Sequence, residues 1–136
     1  AADLGMHPSP DGRELNPIRT AIVVASAAAG LNPPIGPVET NFRDLESLRT
    51  TSGELRRMGY GGRAAIHPDQ IPVINAAFAP TVEELEAARN LLDRFESAQS
   101  EGRAVTVADD GSLIDEAVVR RARITLASQN PGSTER

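Results

Sequence analysis

Apolar positions recur with helical spacing in five stretches of this chain, separated by short apolar runs bounded by proline and glycine. Residues 16–30, "NPIRTAIVVASAAAG", read as a helix with Asn16 as cap, Pro17 at its first position and Gly30 as its stop. Ile22, Val23, Val24 and the alanines make it apolar on most sides, so burial is expected. Prolines 33, 34 and 37 limit the next apolar run to a strand of a few residues near Ile35–Val38. In "RDLESLRTTSGELRRMGYGG", Leu45, Leu48, Leu55 and Met58 share one helical face, Asp44 caps the start and Gly59 ends it. "AAIH", residues 64–67, is a second short strand. The resulting strand–helix–strand order, joined by a short loop, predicts a parallel pair.

Helical periodicity dominates beyond that point. "PDQIPVINAAF" predicts a short helix. Thr81 and Glu84 then fit a capping box, opening a long helix whose stripe is Leu85, Ala88, Leu92 and Phe95. "AVTVADDGSLID" alternates around Asp110-Gly111, a strong hairpin dipeptide. The last helix, from Asp115, sets Val118, Ala122 and Leu126 on one side and Arg120, Arg121 and Arg123 on another. "SQNPGSTER" reads as a polar, disordered tail. The domains expected are 1–79, carrying the strands, a helical segment at 80–128, and the tail at 129–136.

Composition narrows the chemistry. At 136 residues the chain has the length of one ordinary domain, and 40% hydrophobic with 24% charged residues reads as globular. A net charge of −5 argues against nucleic acid, which needs a basic face. No run approaches about 18 apolar residues, so no membrane span is expected. The start shows no basic-then-apolar signal pattern and there is no cysteine, making the cytoplasm the expected compartment. All 14 cationic side chains are arginine, which removes any Schiff-base lysine. Two histidines, His7 and His67, lie too far apart to form a metal motif. Gly59, Gly61 and Gly62 follow a helix instead of opening one, so they read as a cap and turn rather than a phosphate cradle.

Four stretches taken in order carry a family resemblance: "AADLG", "NPIRTAIVVASAAAGLNPPIGPV", "FRDLESLRTTSGELRRMGYGGRAAIHPDQIPVINAAFAPTVEELEAARNLL" and "DDGSLIDEAVVRRARITLA". Together they resemble the C-terminal half of citrate lyase β-subunit-like CoA-ester lyases, within the HpcH/HpaI aldolase superfamily. The most specific motif is Gly59-Tyr60-Gly61-Gly62-Arg63-Ala64-Ala65-Ile66-His67-Pro68-Asp69-Gln70. The family usually shows Gly-Phe-x-Gly-Lys-x-x-Ile-His-Pro-x-Gln there, so Tyr60 and Arg63 are mild departures. Gly111 to Asp115, a Gly-x-x-Ile-Asp pattern, is the second anchor.

The resemblance implies an α/β fold: the C-terminal portion of a (β/α)8 TIM barrel plus a helical C-terminal extension. It implies Mg²⁺-dependent cleavage or formation of a C–C bond between an acyl-CoA and a 2-oxo acid, with citryl-, malyl- and citramalyl-CoA as typical thioesters. Lyase, synthase and thioesterase directions stay open. Since a barrel takes about 250 residues, the resemblance places the metal-binding carboxylates and the substrate arginine upstream of Ala1. Asp3 reads as a neighbour of the metal site and not a ligand. A homo-oligomer, trimer or hexamer, is implied as well.

Asp115 is then the leading catalytic candidate, acting as acid or base in a neighbouring subunit's site; as a helix N-cap it would serve the fold too. His67 is a supporting candidate at the strand end, where a bond toward substrate competes with a bond to the local backbone. Gln70 reads as a helix-start residue that orients the same loop. The arginine cluster at 120–123 reads as a solvated face in preference to a CoA phosphate site. The alternative function is a non-catalytic remnant or helical interaction module that lacks the metal site.

Overall fold

A computed structural model of the chain describes residues 5–9, 11–101, 106–107 and 113–129. Two compact units divide it, Ala1–Phe78 and Ala79–Arg136. Asp3, the Asp110-Gly111 turn and the end of the polar tail lie outside the described residues. No described helix is long and apolar enough to cross a membrane.

In the first unit a 3-10 turn at Arg13–Leu15 leads into α1, Asn16–Ala28. Asn16 is thus the first helical residue and not the cap. Leu15 occupies the cap position without a side-chain bond, and the Asn16 amide oxygen accepts from Arg19 Nη1 at 3.1 Å instead. The helix end follows the sequence. Gly30 adopts φ +68°, its N–H reaches Ala27 O, and Leu31 N–H reaches Ser26 O, a Schellman closure.

Burial of α1 differs from the expectation, because none of its residues is buried. A helix that is apolar on most sides needs cover on most sides. The sheet beside it has only two strands of two residues each, β1 (Ile35–Gly36) and β2 (Gly62–Arg63). Ile22 and Val24 consequently remain 45% and 61% exposed.

β1 and β2 pair in parallel, Ile35 with Gly62 and Gly36 with Arg63. Between them runs α2, Leu45–Met58, giving the strand–helix–strand unit the apolar pattern predicts. Both strands are shorter than expected, and β2 lies before Ala64–His67 instead of over it. The last sheet-type bond is Ala64 N–H to Gly36 O, after which the Gln70 side chain captures the next amides and bends the chain away.

Leu48 and Leu55 bury the predicted face of α2, and Ser52 joins them. Leu48 packs with Val73 and Ile74 of α3, Gln70–Phe78, with Leu45 and Phe78 at the margin. Asp44 Oδ1 accepts from Ser47 N–H at 2.9 Å as the α2 N-cap. Gly59, at φ +103°, ends α2 in a conformation side chains rarely adopt. The next residue, Tyr60, is buried, and its hydroxyl donates to Arg19 O at 3.3 Å, tying the end of α2 to α1. The extra hydroxyl relative to the family's usual phenylalanine therefore finds a partner.

The second unit holds α4, Val82–Ser100, which begins in the expected capping box between Thr81 and Glu84. β3 (Thr106–Val107) and β4 (Leu113–Ile114) pair antiparallel, and α5 spans Glu116–Ala127. Leu85 and Ala88 are buried on α4, while α5 buries Val119 and Ala122. Ala122 is buried as expected, whereas Val119 takes the place expected for Val118, which is 37% exposed. Spacing of three and four through 119, 122 and 126 keeps a single narrow face, as packing on one neighbouring helix requires.

Gly36 marks the tightest approach of strand to helix. A Cβ there would lie 2.7 Å from Leu55 Cδ1 and 3.3 Å from Gly62 O. Leu55 is only 3% exposed and has little room to retreat. Gly36→Ala should therefore destabilise the first unit by about 1–3 kcal/mol, read by urea denaturation. Thr81→Ala should cost about 1 kcal/mol in the second unit through loss of the cap.

Candidate functional site

The loops that leave β1 and β2 end side by side in the first unit, and buried polar side chains hold them. Arg63, the last residue of β2, has a side chain only 5% exposed. Its Nε donates to Pro37 O at 2.8 Å; Nη1 donates to Thr51 Oγ1 at 2.6 Å and lies 3.3 Å from Ser52 Oγ. Nη2 meets Glu39 Oε2 at 3.3 Å. Thr51 Oγ1 in turn donates to Ser47 O at 2.7 Å. One guanidinium thus joins the β1 exit to the middle of α2. Burial lowers its pKa from the ordinary arginine value, with the Glu39 carboxylate opposing the shift. The group stays charged at neutral pH because arginine starts so high. A lysine, a point charge, could not make this planar set of bonds.

Gln70 is fully buried at the start of α3. Its Oε1 accepts from Ile66 N–H at 2.9 Å and His67 N–H at 3.3 Å, while Nε2 donates to Glu39 O at 2.9 Å. The orienting role expected for Gln70 is visible in these bonds, and they span both loops.

His67 sits in the bend after β2, four residues past the strand, with a side chain 38% exposed. Its ring stacks on Phe42, with centroids 4.7 Å apart and planes 19° apart, and the Arg43 guanidinium lies 5.1 Å from the Phe42 centroid. Nδ1 accepts from Asp69 N–H at 3.2 Å, so the neutral ring carries its proton on Nε2. The Asp69 carboxylate stands 3.6 Å from the same nitrogen, an ion pair open only to a protonated ring that gives up the backbone bond. The backbone role is therefore occupied at Nδ1, leaving Nε2 for any other partner.

Asp115 belongs to the second unit. It is exposed, and its Oδ1 accepts from Val118 N–H at 2.8 Å as the N-cap of α5. Arg120, Arg121 and Arg123 are all exposed, and Arg123 pairs with Glu116 at 3.7 Å. His7 is exposed in its loop. Among the described residues, no group of three or more His, Asp or Glu side chains is arranged to hold a metal ion. The donor set in hand therefore does not fit a magnesium site.

Sequence reasoning passed over Glu39 and Phe42 and treated Arg63 only as a departure from a pattern. A cation in a short strand beside a helix bearing Thr51 and Ser52 was the available signal. Phe42 gave none, because its partner is a ring 25 positions away.

Helix-rich α/β structure around a small parallel sheet is the class these elements define. No family model matches the chain. It is 33% identical over 128 residues to the citrate lyase subunit beta of Leuconostoc mesenteroides subsp. cremoris, covering 94% of this chain and 42% of that protein. To a (3S)-malyl-CoA thioesterase of Cereibacter sphaeroides it is 35% identical over 127 residues, covering 93% and 44%. Among solved structures, the protein CitE of Mycobacterium tuberculosis, in complex with magnesium, acetoacetate and coenzyme A, matches with a TM-score of 0.70 and 28% identity. That match covers 93% of this chain and 47% of CitE. Over 93–94% of its length, the chain is thus similar to proteins of the citrate lyase β-subunit-like kind. It spans less than half the length of these relatives.

Asparagine caps helices as well as aspartate. Asp115→Asn should leave the melting temperature of the chain unchanged, whereas Asp115→Ala should lower stability by about 1 kcal/mol on thermal or urea unfolding.

Proposed function

We propose that this chain supplies the closing strands and the helical extension of a (β/α)8-barrel CoA-ester lyase. The reaction is aldol-type cleavage or formation of a C–C bond in thioesters of the citryl-, malyl- or citramalyl-CoA type. The observation that carries this reading is the continuous likeness, over 93–94% of the chain, to proteins named for citrate cleavage and malyl-CoA hydrolysis. The parallel β1–α2–β2 unit supports it, since barrels are built from such units and place their sites at the loops that follow the strands. The Phe42–His67 stack and its clamps lie in those loops.

In this reading the homo-oligomer brings Asp115 of one subunit into a neighbour's site. In cleavage the substrate hydroxyl gives its proton to water as it becomes the oxo acid's carbonyl. The C–C electron pair moves onto the acyl-CoA α-carbon as an enolate, and the Asp115 carboxyl donates a proton there and regains one from water. Condensation runs the transfer backwards. Oδ1 is held by the Val118 amide, which fixes the side chain's direction and leaves Oδ2 to exchange the proton. His67 supports from the bend after β2 through Nε2–H. The Mg²⁺ of this class is held by carboxylates outside the described residues, and no step above is routed through it.

Three measurements test the reading. In the enzyme assembled with its complementary barrel portion, Asp115→Asn should lower turnover roughly tenfold or more at unchanged melting temperature. Unchanged turnover removes Asp115 from the mechanism. The 136-residue chain alone should neither bind Mg²⁺ nor cleave malyl-CoA, and Mg²⁺-dependent cleavage by it would overturn the assignment of the metal site. An in-frame coding segment directly upstream of Ala1 that supplies the rest of a barrel with its metal-binding carboxylates supports the enzyme; its absence favours the interaction module.

A further inference from the structure

Beyond the last sheet bond, from Ala64 N–H to Gly36 O, two side chains, Arg63 and Gln70, join the β1 exit to the β2 exit. Both are withdrawn from solvent, at 5% and 0% exposure, although the loops they serve are largely exposed. Glu39 receives both: its carboxylate meets Arg63 and its carbonyl meets Gln70. Three residues further along the same loop stands Phe42, the ring on which His67 stacks. Three residues before Gln70 stands His67, whose own amide Gln70 accepts.

We infer that Arg63 and Gln70 are positioning residues, forming one clamp that fixes the two strand-exit loops to each other and so sets the orientation of the Phe42–His67 stack. The inference deepens the proposed function and rests on it only in taking the stack to face substrate; the clamp itself is a property of this chain.

The chemistry favours the clamp as the orienting device. Phe42 and His67 share no covalent neighbourhood, and two ring faces in contact slide at little cost because dispersion is shallow. Buried hydrogen bonds to amides and carbonyls are directional and costly to leave unmade. Gln70 uses both ends of its amide at once, so its rotation would strand donors and an acceptor together. Arg63 holds the other flank through Pro37 O and Glu39, with its far end anchored on Thr51 and Ser52 of α2. His67 then presents Nε2 in one direction.

The test is hydrogen exchange and ring-to-ring NMR contacts on the full 136-residue chain, in which two histidines make assignment direct. In the unaltered chain, the Ile66 and His67 amides should be protected about a hundredfold or more despite lying in a bend. In Gln70→Leu, which keeps the volume and removes all three bonds, both amides should exchange roughly tenfold faster or more, and the Phe42–His67 contact should vanish. The Leu48 and Val73 amides, in α2 and α3, should keep their protection. Arg63→Lys should abolish the ring contact while leaving the Ile66 and His67 amides protected. Unprotected Ile66 and His67 amides in the unaltered chain, or a ring contact that survives in both variants, would overturn the inference. The unaltered chain decides the point even where a variant does not fold. Turnover of Asp115→Asn is a separate readout, so failure of the catalytic reading leaves this one standing.

Discussion

A guanidinium taken out of water organises the first unit. Burying an unpaired charge is prohibitive, so the fold around Arg63 has to supply acceptors in the plane of its fork. It does so from three places: a loop carbonyl and a carboxylate after β1, and two hydroxyls on α2. Losing the Pro37 carbonyl or the Glu39 carboxylate would leave Nε or Nη2 without the acceptor it has here, whereas Nη1 has two hydroxyls to turn to. This explains why a sheet of two residues per strand holds its register. Backbone bonds alone over so short a ladder are marginal, and the side-chain network extends the ladder beyond its last backbone pair.

The second unit uses a different economy. Its helices start on side-chain caps, Thr81 with Glu84 and then Asp115, and α4 and α5 each turn one narrow apolar face inward. Asp115 thus has structural work that asparagine could do equally well. The carboxylate's acidity is what asparagine lacks, and only the proposed catalytic role would draw on that difference.

Much of this was legible in the chain. Capping at Thr81 and Asp44, the glycine stop at Gly59 and the parallel strand–helix–strand unit all follow from local rules of propensity and spacing. Two of the misreadings share a cause, a nearby side chain that competes for the backbone or cap position. β2 was placed over Ala64–His67 because an apolar run looks like a strand; the Gln70 amide, four residues on, instead takes the backbone donors that a strand would have offered its neighbour. Asn16 has the chemistry of a cap, yet the 3-10 turn before it moves the helix start and gives its oxygen to Arg19. The apolar girth of α1 was read correctly as composition and wrongly as burial. Of the first unit's loop site, His67 and Gln70 are legible as residue types in a motif, whereas the Phe42 stack and the double use of Glu39 exist only in three dimensions.

The exposure of α1 has a kinetic meaning. A 13-residue helix has little stability of its own in water. Among the contacts holding it are the Tyr60 hydroxyl on Arg19 O and Val23 beside the turn at Gly59. Opening of α1 therefore breaks little, and it can precede any loss of the α2–α3 core by a wide margin in free energy. The first unit then unfolds in stages, with α1 fraying as a unit while Leu48, Val73 and Ile74 remain packed. Within the described residues of the first unit, backbone in α1 becomes reachable before the clamped loops yield.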